Sequence, residues 1–131
     1  NKPATVSSFQ SGYPGSNAVD GSLATYWRTI KLKNNSPRPN PEWINVDLGA
    51  NYSVGQVVLK WDTANRYATA YSIQVSTDGS NWTTVYSTTS GDGGTDTITF
   101  SPVSARYVQM ISTAWNVPWE GNYLSEFEIY P

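Results

Sequence analysis

Short stretches in which apolar and polar residues alternate one for one recur along this chain, each closed by turn-forming Gly, Asn, Asp or Pro. Successive side chains of a strand point to opposite faces, so a period of two marks a strand buried on one side only. "WINVDLG" sets Ile44, Val46 and Leu48 against Asn45 and Asp47 before stopping at Gly49. "VGQVVLKW" repeats the pattern with Val57, Leu59 and Trp61, and "AYSIQVS" with Tyr71, Ile73 and Val75. The segment "TDGSNW", with Asp78-Gly79 at its tip, predicts a hairpin from Tyr71 to Tyr86. Gly-rich "TTSGDGGTDTITF" leads to Ile98 and Phe100, and "ARYVQMIS" supplies a further strand. "SEFEIYP" puts Phe127 and Ile129 on one face, with Glu126, Glu128 and Tyr130 on the other. No window has the Ala, Leu, Glu and Lys enrichment of a helix. The pattern predicts an all-β fold of seven or eight strands in two packed antiparallel sheets.

The 131 residues suit one domain, 1–131, rather than two. Charged residues are only 14% and the net charge is -2, which offers no electropositive footprint for a phosphate backbone, so nucleic acid is not an expected partner. No apolar run approaches the roughly 18 residues of a membrane span, and a membrane role is not expected. "NKPATVSSFQ" lacks the charged-then-apolar pattern of a secretion signal, so the expectation is a processed chain or a module cut from a longer one. Cysteine and histidine are both absent, which removes disulfides, thiolate or imidazole metal sites, Cys nucleophiles and a His general base together.

Six blocks in order, "NKPATVSS", "NAVDGSLATYW", "EWINVDLG", "AYSIQVSTDGSNWTTVY", "ARYVQM" and "LSEFEIY", resemble the F5/8 type C, or discoidin, family as used in bacterial family 32 carbohydrate-binding modules. The resemblance implies an eight-stranded antiparallel jelly-roll β-sandwich of the galactose-binding-like type. It also implies one structural calcium and attachment in cis to a secreted glycoside hydrolase. Animal members commonly close their termini with a disulfide, so a chain without cysteine resembles the bacterial branch. "VVLKWDTANRYATAYSIQVSTDGSNWTTVY" is most similar to modules of polysaccharide hydrolases such as chitosanases and β-1,3- or α-1,3-glucanases.

Calcium takes hard oxygens from tightly turned backbone and from carboxylates or hydroxyls. Asp20 before Gly21, with Ser22 and Thr25 in the following turn, offers such a set. The plain alternative is an Asx-turn at Asp20 and an ordinary outward Glu126. The resemblance implies the ligands Asn17 (through its backbone carbonyl), Asp20, Ser22, Thr25, and Ser125 with Glu126. Such an ion would staple the first long loop to the last strand.

Two segments, 28–42 and 112–123, exceed ordinary connections, and long patternless loops are usually functional or disordered. Trp43 and Trp82 adjoin apolar alternation, and Trp27 ends one of the blocks that carry the resemblance; all three are expected in the core or packed on it, with Tyr71, Tyr86 and Tyr107. Trp115, Trp119, Tyr123, Tyr67 and Tyr13 lie instead among Gly, Pro and Asn. A sugar ring has an apolar C–H face and a hydroxyl rim, so it is held by an aromatic surface flanked by amides, carboxylates or guanidinium groups. The loops offer that mixture. Trp115, Asn116, Trp119, Glu120 and Asn122 lie in one, Asp62, Asn65, Arg66 and Tyr67 in another, and Gln10 and Tyr13 near the first strand. Either tryptophan can instead fold back as a loop plug, though both doing so is not expected.

Chitosan-binding relatives grip the amino sugar with acids from two loops. The resemblance implies that Asp62 retains one acid, whereas Gln10 replaces the other and Tyr26 stands where Arg is frequent. A neutral β-1,3- or α-1,3-glucan is therefore favoured over chitosan, with Lys31, Lys33 and Arg38 leaving an acidic glycan open. Asp62 and Glu120 are the only loop carboxylate pair considered for hydrolysis, and the chain is not expected to be an enzyme. The triplets "NNS", "NYS" and "NWT" are expected to be silent in a bacterial chain. The expectation is a monomeric, extracellular, non-catalytic module that holds its parent enzyme on a polysaccharide. A discoidin-type adhesion module for protein or lipid headgroups is the alternative.

Overall fold

The computed structural model describes residues 2–62 and 66–131, so Asn65 lies outside the described residues. These residues form seven strands: β1 (Ala4–Val6), β2 (Trp27–Arg28), β3 (Glu42–Trp61), β4 (Ala68–Ser76), β5 (Thr83–Thr88), β6 (Thr95–Trp115) and β7 (Tyr123–Tyr130). One 3-10 turn, Gly15–Val19, precedes β2. All pairings are antiparallel.

The count is seven rather than eight because β3 and β6 each run through both layers. Residues 42–47 of β3 pair with β1 on one side and with 107–112 of β6 on the other, and β6 then pairs with β4 and β4 with β5. Residues 56–60 of β3 pair with 95–99 of β6 and with β7, which carries β2 on its far edge. The result is a sandwich of a five-stranded and a four-stranded layer. Between its halves β3 slips register at Asp47/Tyr52 and Val54/Gln56, near Gly49 with its φ of 88°. A register slip exchanges the two faces. The sequence carries its trace, since the core positions are 44, 46, 48 and 54 up to the second slip and 57, 59 and 61 after it.

Ile44, Val46, Ile73, Val108 and Met110 of the first layer meet Val57, Leu59, Ile98, Leu124 and Phe127 of the second in one apolar core. Trp27 is wholly buried there, as expected. Trp43 is not part of that core. It alternates with buried Glu42 and Ile44, and so stands half-buried on the outward face of the first layer. The hairpin β4–β5 closes as expected, with Asp78 accepting hydrogen bonds from the backbone N–H groups of Ser80 and Asn81. Among the described residues no helix is long and apolar enough to cross a membrane.

Candidate functional site

The expected sugar platform of Trp115 and Trp119 is not built. Trp115 is only 7% exposed, and its indole Nε1–H donates to Ser112 Oγ and Asn122 Oδ1, both at 3.1 Å. Asn122, wholly buried, donates Nδ2 to the same Ser112 Oγ at 2.9 Å. Trp115 is therefore the plug that closes the end of β6, and both it and Asn122 leave the set of sugar-contacting residues. The physical reason is Arg38. Its guanidinium lies 5.6 Å from the Trp115 ring and its side chain is 1% exposed. Arg38 donates to Pro118 O and Ile30 O at 2.8 Å, to Trp119 O at 3.1 Å and to Glu42 Oε2 at 2.7 Å. One buried cation thus ties the 28–42 segment to the 116–121 segment over the indole, so Arg38 is structural and not a glycan-facing charge.

Trp119 is half-buried, and its carbonyl accepts from Leu32 N as well as Arg38. Gly121 follows with φ 75°, and a Cβ there would overlap Thr29 Oγ1 and press on the Arg38 guanidinium, so this loop needs glycine to close.

A different aromatic group gathers at this end of the sandwich. The rings of Tyr13 and Tyr26 are 5.0 Å apart, and Tyr26 stacks on Tyr123 at 5.5 Å with 16° between planes. The Arg28 guanidinium lies 4.3 Å from the Tyr123 ring and 5.0 Å from Tyr13. Its Nε is buried and, among the described residues, meets no acceptor; the aromatic faces are its surroundings. Sequence reasoning named Tyr26 only as the residue standing where Arg is frequent in relatives and missed Arg28 altogether, yet a signal was present. Trp27 faces the core, so its neighbours on either side must face outward.

Glu120 is the electrostatic centre of the site. Arg66 Nε donates to its Oε2 at 2.8 Å and the Tyr123 hydroxyl to its Oε1 at 3.1 Å, while Arg28 and Lys31 stand 3.6 and 3.8 Å from Oε1. Burial pushes the Glu120 carboxyl up, but Arg66, Tyr123 and Lys31 together bring it below its ordinary value, so it is ionised and acts only as an acceptor. Tyr123 is pushed up to about 12, first by burial, and remains a hydroxyl donor.

Asp62 and Arg66 bracket this cluster. Asp62 N donates to Tyr123 O, Tyr123 N donates to Arg66 O, and the Asp62 carboxylate is close enough to Tyr26 to help raise its hydroxyl, behind burial and the neighbouring Tyr13. Gln10 serves the loop rather than a ligand, since its Oε1 accepts from Lys31 N at 2.9 Å. Asn116 is exposed and its Oδ1 accepts from Tyr67 N, while the Tyr67 ring packs on Gly93, where a Cβ would stand 2.8 Å from it. The structure thus brings together Tyr13, Tyr123, Glu120, Arg66 and Asp62 of the expected residues, with Lys31 beside them, and adds Tyr26 and Arg28.

The loop expected to hold a cation is a separate cluster. Asp20 Oδ1 accepts from Ser22 N, its Oδ2 from the Thr25 hydroxyl, and Glu126 Oε1 from Gly21 N at 2.8 Å. Burial, then its hydrogen bond with Asp20, lifts Glu126 to about 7, whereas Asp20 is held below its ordinary value against the pull of burial by Thr25, Ser22 and Glu126. The two carboxyl groups thus share a hydrogen bond with each other. Asn17 sits in the 3-10 turn and donates Nδ2 to Tyr26 O at 3.2 Å. Ser125 is the extra residue of a β7 bulge, since Lys60 pairs with Glu126 and Trp61 with Leu124.

Residues 3–127 match the F5/8 type C domain. Chitosan-binding module 1 from a chitosanase/glucanase of Paenibacillus sp. IK-5 is 44% identical, with a TM-score of 0.89 over 100% of this chain and 96% of that one. Module 2 of the same enzyme, in complex with chitotriose, is 43% identical, with a TM-score of 0.88 over 100% of this chain and 97% of that one. The polysaccharide lyase 8 family protein HylA of Enterococcus faecalis is 32% identical over 100 residues, 74% of this chain. The chain spans 7% of that protein's length.

Proposed function

The chain belongs to the F5/8 type C domain family, and from that premise we propose that its tyrosine-lined loop end binds a neutral glucan. It is a carbohydrate-binding module with no catalysis of its own. The observation that carries the glycan assignment is the Tyr13–Tyr26–Tyr123 group beside Arg28 and Glu120. A pyranose ring lies on the half-exposed Tyr13 and Tyr26 rings, while Arg28, Lys31 and Glu120 exchange hydrogen bonds with its hydroxyls. Glu120 is already matched by Arg66, Arg28 and Lys31, so it offers little attraction to an ammonium group. Chitosan is the second reading, favoured by the relatives at 43–44% identity and by Asp62 beside Tyr26.

Affinity electrophoresis through laminarin, α-1,3-glucan and chitosan separates these readings. Retardation by a glucan that is insensitive to salt supports the first. Retardation by chitosan alone, lost as salt rises, supports the second, because exposed charge pairing is screened. No retardation in any of the three overturns both. Tyr26→Ala should weaken retardation by about fivefold. Co-sedimentation with anionic vesicles in the absence of glycan binding would favour the adhesion alternative. The parent protein is inferred to be a secreted bacterial enzyme acting on the same polysaccharide.

The Asp20–Glu126 cluster is proposed to hold calcium through Asn17, Asp20, Ser22, Thr25, Ser125 and Glu126, joining the 20–25 loop to β7. Its oxygens suit a hard cation. Chelator should lower the melting temperature of wild type, with calcium restoring it, and Glu126→Gln should abolish that response. A melting temperature indifferent to chelator and to added calcium would refute the site.

A further inference from the structure

The outward face of the five-stranded layer takes no part in the loop site. Register places Trp43, Ile111, Ser72 and Ser87 in one row across β3, β6, β4 and β5, and Asn45, Gln109, Gln74 and Thr84 in the next. With neighbouring strands about 4.8 Å apart, each row runs about 14 Å, the reach of a short oligosaccharide rather than of one ring. Gln109 is 8% exposed although it points away from the core. Its Nε2 donates to Gln74 Oε1 at 3.0 Å, and Gln74 Nε2 reaches Thr84 Oγ1 at 3.4 Å. Among the described residues Gln109 Oε1 accepts no hydrogen bond, and Asn45 Oδ1 is buried without a donor. Native proteins rarely leave a buried acceptor unmet, and Asn45 Oδ1 is one, directly across from Gln109 on the neighbouring strand.

The same face continues into a groove of about 460 Å³ lined by Ser72, Ser87, Thr88, Ser90 and Thr113, with no charged side chain. The charges that flank the amide row, Asp47 and Arg106, neutralise each other through two hydrogen bonds of 2.8 and 3.0 Å. The surface is thus uncharged, rich in hydroxyls and amides, and carries one half-buried tryptophan. A protein partner would need a broader apolar patch than Trp43 and Ile111 supply, and a charged polymer would find nothing to pair with.

We propose that this sheet face is a second carbohydrate-binding surface, separate from the tyrosine-lined loops, that takes a neutral polysaccharide laid across β3, β6, β4 and β5. One sugar ring lies on Trp43 and its neighbours' hydroxyls donate to Gln109 Oε1 and, once its side chain turns outward, to Asn45 Oδ1. The following sugar enters the hydroxyl-lined groove. Two surfaces on one module engage one polymer, or two neighbouring chains, with an avidity that neither has alone.

The test is an NMR titration of the whole chain with soluble hexasaccharides of β-1,3-glucan, α-1,3-glucan and chitosan in turn. It follows the Trp43 indole N–H and the side-chain amides of Gln74 and Gln109. With at least one neutral glucan these signals should move, and they should move at the same midpoint in Tyr26→Ala. Trp43→Ala should weaken that response by about fivefold, while the signals around Tyr26 and Arg28 are unaffected. Ser87→Lys, at an exposed position that removes nothing from the core, should block the groove and give the same loss. The proposal is overturned if the Gln74 and Gln109 amides stay fixed while loop signals move, or if their movement disappears together with the loop signals in Tyr26→Ala. Movement with chitosan only would overturn the neutral assignment of this face. Silence in both regions would instead overturn the sheet-face and loop readings together.

Discussion

Trp115→Phe separates the two roles this residue can have. In the structure it is a buried plug whose Nε1–H is the donor to Asn122 Oδ1, an acceptor that no water reaches in a wholly buried side chain. Phenylalanine keeps most of the ring but removes that donor and leaves a small void. An unsatisfied buried acceptor costs about 1–3 kcal/mol, and with the lost volume the total is about 2–4 kcal/mol. Unfolding entropy of about 2.1 cal/mol/K per residue comes to about 275 cal/mol/K for a chain of 131 residues. The melting temperature should therefore fall by about 7–15 °C in differential scanning calorimetry. Trp115→Ala removes the ring as well, at about 3–5 kcal/mol before the lost hydrogen bond, which is comparable to the whole stability of a domain. Below its melting temperature Trp115→Phe should bind glycan as wild type does. A variant with an unchanged melting temperature and lost binding would show that the indole faces ligand, and the placement of Trp115 would be wrong.

Arg38→Met should also act on stability. Breaking a buried pair costs about 3–5 kcal/mol, hence about 11–18 °C in melting temperature by the same conversion, and Arg38→Met/Glu42→Met should recover part of it because no charge is then left buried. A single variant as stable as wild type would mean that Arg38 does not bind the two loops together. Stability should also fall in acid. The hydrogen bonds from Arg106 hold Asp47 down at about 2, and the backbone N–H groups of Asn81 and Ser80 hold Asp78 well below the usual carboxylate range. A carboxylate depressed in the folded state stabilises fully above its unfolded value of about 4, and that contribution is lost as pH falls towards 2. Urea midpoints taken from pH 5 to pH 2 should drop, and Arg106→Ala should flatten the drop; an identical acid limb in that variant would contradict the assignment to Asp47.

The alternating runs determined the two-layer β architecture by themselves. Burying one face of a strand needs period two, and no other element uses it, so β3, β4, β6 and β7 were legible as strands. Even the second slip in β3 is written locally, as the change from even to odd core positions between Val54 and Val57. The pairing of Asp20 with Glu126, 106 positions away, was reached only through the resemblance. Which aromatic residues stay outside was not legible, because a tryptophan among Gly, Pro and Asn has the same local sequence whether it waits for a sugar or plugs the end of a strand. That choice was made by Arg38, which closes over Trp115 from a segment nearly eighty residues away. Tyr13, Tyr26 and Tyr123 form one surface only once β2 pairs with β7 and brings three loops to one end. Strand patterning is a property of neighbours along the chain, whereas a site is a property of neighbours in space, and only folding decides those.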